Sequence, residues 1–205
     1  MRIKEVKLYM VDQYLVEYAK TLSNALLSVD GSQITAATET LRKAYLTNRS
    51  VFVCGNGGSA AISDHFHCDH SKGVCFDTDL KPKIQALSSN LSTITAIAND
   101  FSYDEIFSYQ LQMKAITGDV LVTVSSSGNS PNIIRAIEEA KKLKMTVIAL
   151  CGFDGGKSAK LADIVLHVKE DNYGIVEDAH QSLMHVMAQF IRLTHINKDI
   201  NDIKL

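Results

Sequence analysis

The chain has 205 residues, 46% of them apolar and 21% charged, with a net charge of −2 at pH 7. This is the composition of a soluble globular protein with length enough for one sizeable core, and without a basic block it argues against nucleic acid as a ligand. No run approaches the ~18 apolar residues of a membrane span, and the opening MRIKEVKLYMVDQ breaks its apolar residues with charges, unlike a secretory signal. A cytoplasmic protein with no membrane partner is expected.

Residues 1–48 contain one glycine and no proline. Val11, Leu15, Tyr18, Leu22, Ala25 and Leu26 fall at helical spacing, SVDGSQ interrupts, and a second helix is expected over Ile34–Tyr45. These two helices form an arm before the core, either covering it or packing on another subunit. Strand-like runs follow at Val51–Cys54, Ile84–Leu87, Val120–Val124, Thr146–Leu150 and Ile164–Val168. Helix-like stretches alternate with them at Ala60–His70, Leu91–Ala98, Ile106–Ala115, Asn132–Leu143 and just after Lys157. Such alternation predicts an α/β fold, a doubly wound five-stranded parallel sheet covered on both faces. Gly73–Lys83 reads as a loose polar connection, and Val176–His195 as a long closing helix. Cys54, Cys68, Cys75 and Cys151 show no CxxC spacing and read as small buried hydrophobes of a reducing compartment.

Open parallel sheets bind ligands beyond the carboxyl ends of their strands. Two loops are so placed. Gly55, Asn56, Gly57 and Gly58 follow the first strand, with Ser59 as the expected N-cap of the next helix. A strand, a glycine turn and a helix N-terminus together present free N–H groups and the positive dipole end to an anion. The second loop, Ser125–Ser130, is SSSGNS, with Pro131 suited to a first helical turn. Neither loop carries the Lys-Ser/Thr pair of an NTPase nor a complete GxGxxG, which leaves a small phosphorylated metabolite as the natural ligand. In DHFHCDH, His65 and Asp69 are four apart and share a helix face, with His70 near Asp69's flank; metal ligation and a solvated polar helix end are both open readings. Glu177, Gln181 and His185 form a second stripe at i, i+4 and i+8; His180 lies one step off it, and His167 and His195 read as structural. A phosphate site beside carboxylates and imidazoles, without a serine–histidine–acid set, points to proton transfer on a sugar phosphate.

GNGGS, AIANDFSYDEIFS (96–108), SSSGNS and GFDGGKSAKLAD (152–163) closely resemble the sugar isomerase (SIS) domain family, and within it the D-sedoheptulose-7-phosphate isomerases. The resemblance runs from about Ile34 to the end of the closing helix. It implies one SIS domain with a flavodoxin-like three-layer fold: arm 1–48, core 49–170, closing helix and tail 171–205. It further implies isomerisation of sedoheptulose 7-phosphate to D-glycero-D-manno-heptose 7-phosphate, for bacterial surface glycans. A homotetramer whose sites combine neighbouring subunits is implied too, often with zinc. On these positions the resemblance sets Asn56, Gly57, Gly58 and Ser59 against the substrate, Asn99 and Asp100 on the sugar, and Ser125, Ser126, Ser127 and Ser130 on the phosphate. It puts His65, Asp69, Glu177 and His185 at the metal, with Asp69, His185 and Glu177 as the candidates for base and acid. Two positions depart from the pattern: Asp69 stands where glutamate is usual, and Glu177 where glutamine is. Gly174-Ile175 also replaces a charged pair. The competing readings are an isomerase of a related ketose phosphate and a non-catalytic SIS binding protein of the kind that associates with the DnaA initiator; a DNA-reading regulator is disfavoured by an arm that is neither basic nor shaped as a helix-turn-helix.

Overall fold

The β-branched runs become five strands: β1 (Ser50–Gly55), β2 (Lys83–Ala86), β3 (Val120–Ser125), β4 (Thr146–Cys151) and β5 (Ile164–His167). The structure, a computed structural model, describes residues 10–199. The expectations for residues 1–9 and for the end of the tail lie outside the described residues. All strand pairs are parallel and the order is β2-β1-β3-β4-β5, the doubly wound arrangement expected. The chain steps to one side of β1 and then returns to β3 on the other, so the crevice lies between the carboxyl ends of β1 and β3.

Alternation along each strand sorts the core into two layers. Val51, Val53, Val120 and Val122 face the layer built by α1 (Val11–Leu27), α2 (Gly31–Leu46), α3 (Gly58–Cys68) and α8 (Tyr173–His195). Phe52, Cys54, Leu121 and Val147 face α4 (Leu91–Asp100), α5 (Ser108–Lys114) and α6 (Pro131–Lys142). A short α7 (Gly156–Leu161) precedes β5. The arm is fastened where its own apolar stripe allows. Ala25 is buried and Tyr18 and Leu22 are partly so, while Val11 and Leu15 stay exposed at 83% and 66%. The Tyr18 hydroxyl donates to Asp178 Oδ2 of α8 at 2.7 Å.

Element boundaries differ from the sequence expectation where side chains cap. Asp30 accepts from the Ser32 N–H, so the second helix starts at Gly31, not Ile34. Asn172 accepts from the Gly174 and Ile175 N–H groups and starts α8 at Tyr173 rather than Val176. Ser59 is not the N-cap of α3. Gly57, at φ +54°, completes the turn and takes that place, a conformation in which a side chain would be strained. The helix expected over Ile106–Ala115 is shortened to α5, which begins at Ser108, and a separate 3-10 turn (Tyr103–Glu105) precedes it. The one expected to run to His70 gives way after Cys68 to a π-helical turn, Asp69–Gly73, closed by the Val74 N–H on the Asp69 carbonyl at 2.9 Å.

Of the cysteines, Cys54 and Cys151 are buried, but Cys68 is exposed and Cys75 half-buried, because the π turn and the loop after it face solvent. His167 and His195 have structural partners: the Phe153 carbonyl at 2.9 Å and Asp79 at 2.6 Å. His70 and His180 are wholly buried. His70 stacks on Phe66 at 3.9 Å, and its Nδ1 is hydrogen-bonded with the Tyr45 hydroxyl at 2.7 Å. The Cys151 backbone lies near His180, without a well-formed hydrogen bond to either ring nitrogen.

Burial disfavours the imidazolium, lowering His180 from 6.5 to about 4 and His70 to about 3. Both contributions are therefore whole above pH 6.5 and are lost as the pH falls toward the folded values, because the unfolded chain binds those protons first. Urea unfolding is expected to show stability dropping below pH 6.5 by about 1.4 kcal/mol per pH unit for each imidazole. A His180→Gln variant should show a shallower slope, and an identical slope would contradict the assignment.

Candidate active site

Beyond the carboxyl ends of β1 and β3 lies a cavity of about 150 Å³. Ser125, Ser126, Ser127 and Ser130 line it from one side, Asn56 and Ser59 from another, and Tyr173 and Glu177 of α8 close it. The N-termini of α3 and α6 belong to the same two loops, so unpaired N–H groups and two positive dipole ends flank the space. No Lys or Arg lines the cavity among the described residues. Ser126 Oγ is buried without a hydrogen-bond partner, a hydroxyl left to bond a ligand or water.

The serine loop is held from beneath. The Ser158 N–H and hydroxyl both donate to the Gly128 carbonyl, at 2.9 and 3.0 Å, and the Lys157 N–H donates to Asn129 Oδ1 at 3.0 Å. The segment after β4 thus supports the loop after β3. Asn56 is fixed by a reciprocal amide pair with Asn132, 2.9 Å in each direction, and its Oδ1 accepts from the Tyr103 hydroxyl at 3.1 Å. Asn132 and Tyr103 were not legible as site residues. Asn99 and Asp100 lie exposed at the end of α4, joined to each other at 3.0 Å, and line neither this cavity nor the groove beside Asp69 and His185.

A second group forms where α3 and α8 cross. Asp69 Oδ2 accepts from His185 Nδ1 at 2.6 Å, and its Oδ1 lies 3.3 Å from His65 Nε2. On the far side of both rings, Gln181 Nε2 is 2.8 Å from His65 Nδ1 and 3.0 Å from His185 Nε2. The two rings meet edge to face, 4.9 Å apart. Asp69, short as it is, reaches both imidazoles. One ligand atom each from His65, Asp69 and His185 lies within 4.8 Å of the others. Two imidazoles and a carboxylate suit zinc or a similar divalent ion, and three protein ligands leave the open position that catalytic sites need. Glu177 does not join this group. A Cβ placed on Gly58 would stand 2.4 Å from Glu177 Oε2, so this carboxylate lies over the start of α3, in the serine cavity. A separate groove of about 320 Å³ runs beside Asp69 and His185, with Lys72 and Arg192 on its wall; the two cavities share no lining residue.

This fold and these loops define a class. Residues 13–152 match the SIS domain family, and the chain belongs to it. Among its relatives, the phosphoheptose isomerase of Shewanella denitrificans is 39% identical over 81% of this chain and 86% of its own. That of Mycobacterium tuberculosis is 33% identical over 88% and 84%. The solved phosphoheptose isomerase GmhA of Neisseria gonorrhoeae superposes with a TM-score of 0.80 at 33% identity, covering 88% of this chain and 96% of its own.

Gly128 tests the support of the serine loop. At φ +62°, a Cβ there would stand 2.2 Å from the Gly155 carbonyl oxygen. Gly128→Ala is expected to cost about 2–5 kcal/mol, from backbone strain and overpacking together, read as a lowered melting temperature.

Proposed function

We propose that this chain is a phosphoheptose isomerase, interconverting sedoheptulose 7-phosphate and D-glycero-D-manno-heptose 7-phosphate. The observation that carries this reading is the stripe on α8, with Glu177 in the serine cavity at one end and His185 beside Asp69 at the other. Eight residues of helix separate them by about 12 Å along the axis. At roughly 1.2 Å per bond of extended chain, C2 of a seven-carbon ketose phosphate stands about 8–9 Å from phosphorus, against about 4 Å for a triose phosphate. Only the longer sugar reaches from the serine loop toward the imidazoles.

The phosphate is bound by Ser125, Ser126, Ser127 and Ser130 and by N–H groups at the starts of α3 and α6, with Asn56 and Ser59 on the opposite wall and Gly57 and Gly58 in the turn between them. Glu177 accepts sugar hydroxyls, since a carboxylate so placed repels a second anion. Asp69 takes the proton from C1 of the ketose and returns one to C2, and His185 supplies and recovers the proton on oxygen. The close Asp69–His185 contact makes the two a coupled proton-transfer pair. His65, Asp69 and His185 would hold a divalent cation, zinc being the natural one; when bound it would stabilise the negative charge on the sugar oxygens in place of the His185 proton.

Asn99 and Asp100, exposed on this chain, are assigned to a site completed by a neighbouring subunit. A homotetramer is supported by apolar side chains left uncovered on one chain: Val11, Leu15 and Val16 on α1, Val186 and Phe190 on α8. Among the described residues no helix is long and apolar enough to cross a membrane, which accords with a cytoplasmic site of action. The product would enter heptose-containing surface glycans.

Incubation of the purified protein with sedoheptulose 7-phosphate should yield the aldose; failure with that ketose and every C5–C7 ketose phosphate rejects the proposal. Asp69→Asn is expected to lower kcat by at least ~10²-fold. Ser127→Ala should instead raise KM, by about 5–150-fold for the loss of 1–3 kcal/mol of bonding to a charged phosphate, with kcat little changed. Light scattering should give four times the 22.5 kDa of one chain.

A further inference from the structure

His65, Asp69, His185 and Gln181 form a closed ring of contacts in which every imidazole nitrogen is used. Asp69 faces Nε2 of His65 and Nδ1 of His185 at 3.3 and 2.6 Å; Gln181 faces the remaining pair, Nδ1 of His65 and Nε2 of His185, at 2.8 and 3.0 Å. A carboxylate only accepts, so with neutral rings the two N–H groups face Asp69, as a hydrogen bond from His185 and as a longer 3.3 Å contact from His65. The other two nitrogens then carry lone pairs, and the Gln181 amide has two N–H groups to give them. Three of the four contacts are hydrogen bonds, and without an ion no donor is set against a donor.

A cation held by Asp69 and the nitrogens facing it reverses these roles. It needs lone pairs where the N–H groups were, so each imidazole must carry its proton on the opposite nitrogen, toward Gln181. Each ring loses one proton to solvent and gains one, with no change in charge. Two N–H groups then meet the amide, which can answer them only through its oxygen. A half-turn about the last side-chain bond of Gln181 exchanges nitrogen for oxygen in nearly the same space. No other described side chain is placed to bond both distal nitrogens.

We propose that Gln181 is a positioning residue whose amide donates to both imidazoles when the site is free of metal and turns to accept from both when a cation is bound. It belongs to the class of outer partners that fix the tautomer of a ligating histidine and raise its basicity, with the added feature that one side chain serves two rings and both states. The i, i+4 spacing from His185 keeps it on the required face of α8, and its partial burial leaves room for the turn. This inference rests on the metal-site reading but not on the identity of the sugar.

The test compares wild type with Gln181→Leu, which can neither donate nor accept, and Gln181→Glu, which can only accept. Zinc affinity is read by competition with a chelating dye, and histidine tautomers by long-range proton–nitrogen NMR of the metal-free proteins at pH 8. Gln181→Leu should bind zinc ten- to a hundredfold more weakly, whereas Gln181→Glu should bind it at least as tightly as wild type. In metal-free wild type, His65 should be the Nε2–H tautomer; Gln181→Leu should keep it, because Asp69 still faces Nε2, whereas Gln181→Glu should draw a proton to Nδ1. Equal zinc affinity in all three proteins, or a His65 tautomer indifferent to residue 181, overturns the role of Gln181 and leaves the metal site standing. If wild type binds no zinc, the metal site and the role of Gln181 both fall, whatever the isomerase assay reports.

Discussion

The contact of Asp69 with His185 joins α3 to α8, and most of the site depends on it. The first helix leaves the sheet at its switch point carrying a glycine turn behind it; the second arrives after β5, from the far end of the chain. Where they cross, a carboxylate and two imidazoles come within bonding distance, and the same crossing sets Glu177 over the start of α3. The serine loop and the Asp69–His185 pair are therefore positioned by one piece of packing, supported underneath by the buried apolar face of α8.

Much of this was legible because it is periodic. Alternating β-branched runs gave the strands and their layers, and spacings of four placed His65 with Asp69 and Gln181 with His185 on common faces. The loops after β1 and β3 could be singled out from where parallel sheets bind ligands. The features that stayed hidden are those periodicity does not encode. Caps at Asp30 and Asn172 lengthened two helices, and a glycine rather than Ser59 began α3. Sequence spacing also put Glu177 and His185 on one stripe without revealing that two turns of helix set them in different cavities. Asn132 and Tyr103 act on Asn56 from 76 and 47 residues away, a distance no local pattern spans.

The electrostatics of the serine cavity set it apart from phosphate sites built on lysine or arginine. Its attraction comes from oriented dipoles and hydroxyls, which match an anion over a few ångströms and fade quickly beyond. Glu177 in the same space adds opposition to any anion that offers nothing to a carboxylate. An inorganic phosphate meets only the dipoles; a polyhydroxylated phosphate meets Glu177 with donors. On the proposed function, discrimination would come from a group that penalises the wrong ligand as much as from those that bind the right one.

The π turn at Asp69–Gly73 accommodates one residue more than an α-helical turn, and the segment on its C-terminal side is clamped to α8: the Phe76 carbonyl accepts from Arg192 at 2.9 Å, and Asp79 meets His195. Deleting a single residue there would restore regular helix but rotate the downstream segment by about 100°. Asp69 would keep its place beside His65 while the clamp lost its register. The chain cannot shed that extra residue piecemeal, so the irregularity is locked in by contacts a full loop away, and a lineage once carrying it would have to rebuild both ends together.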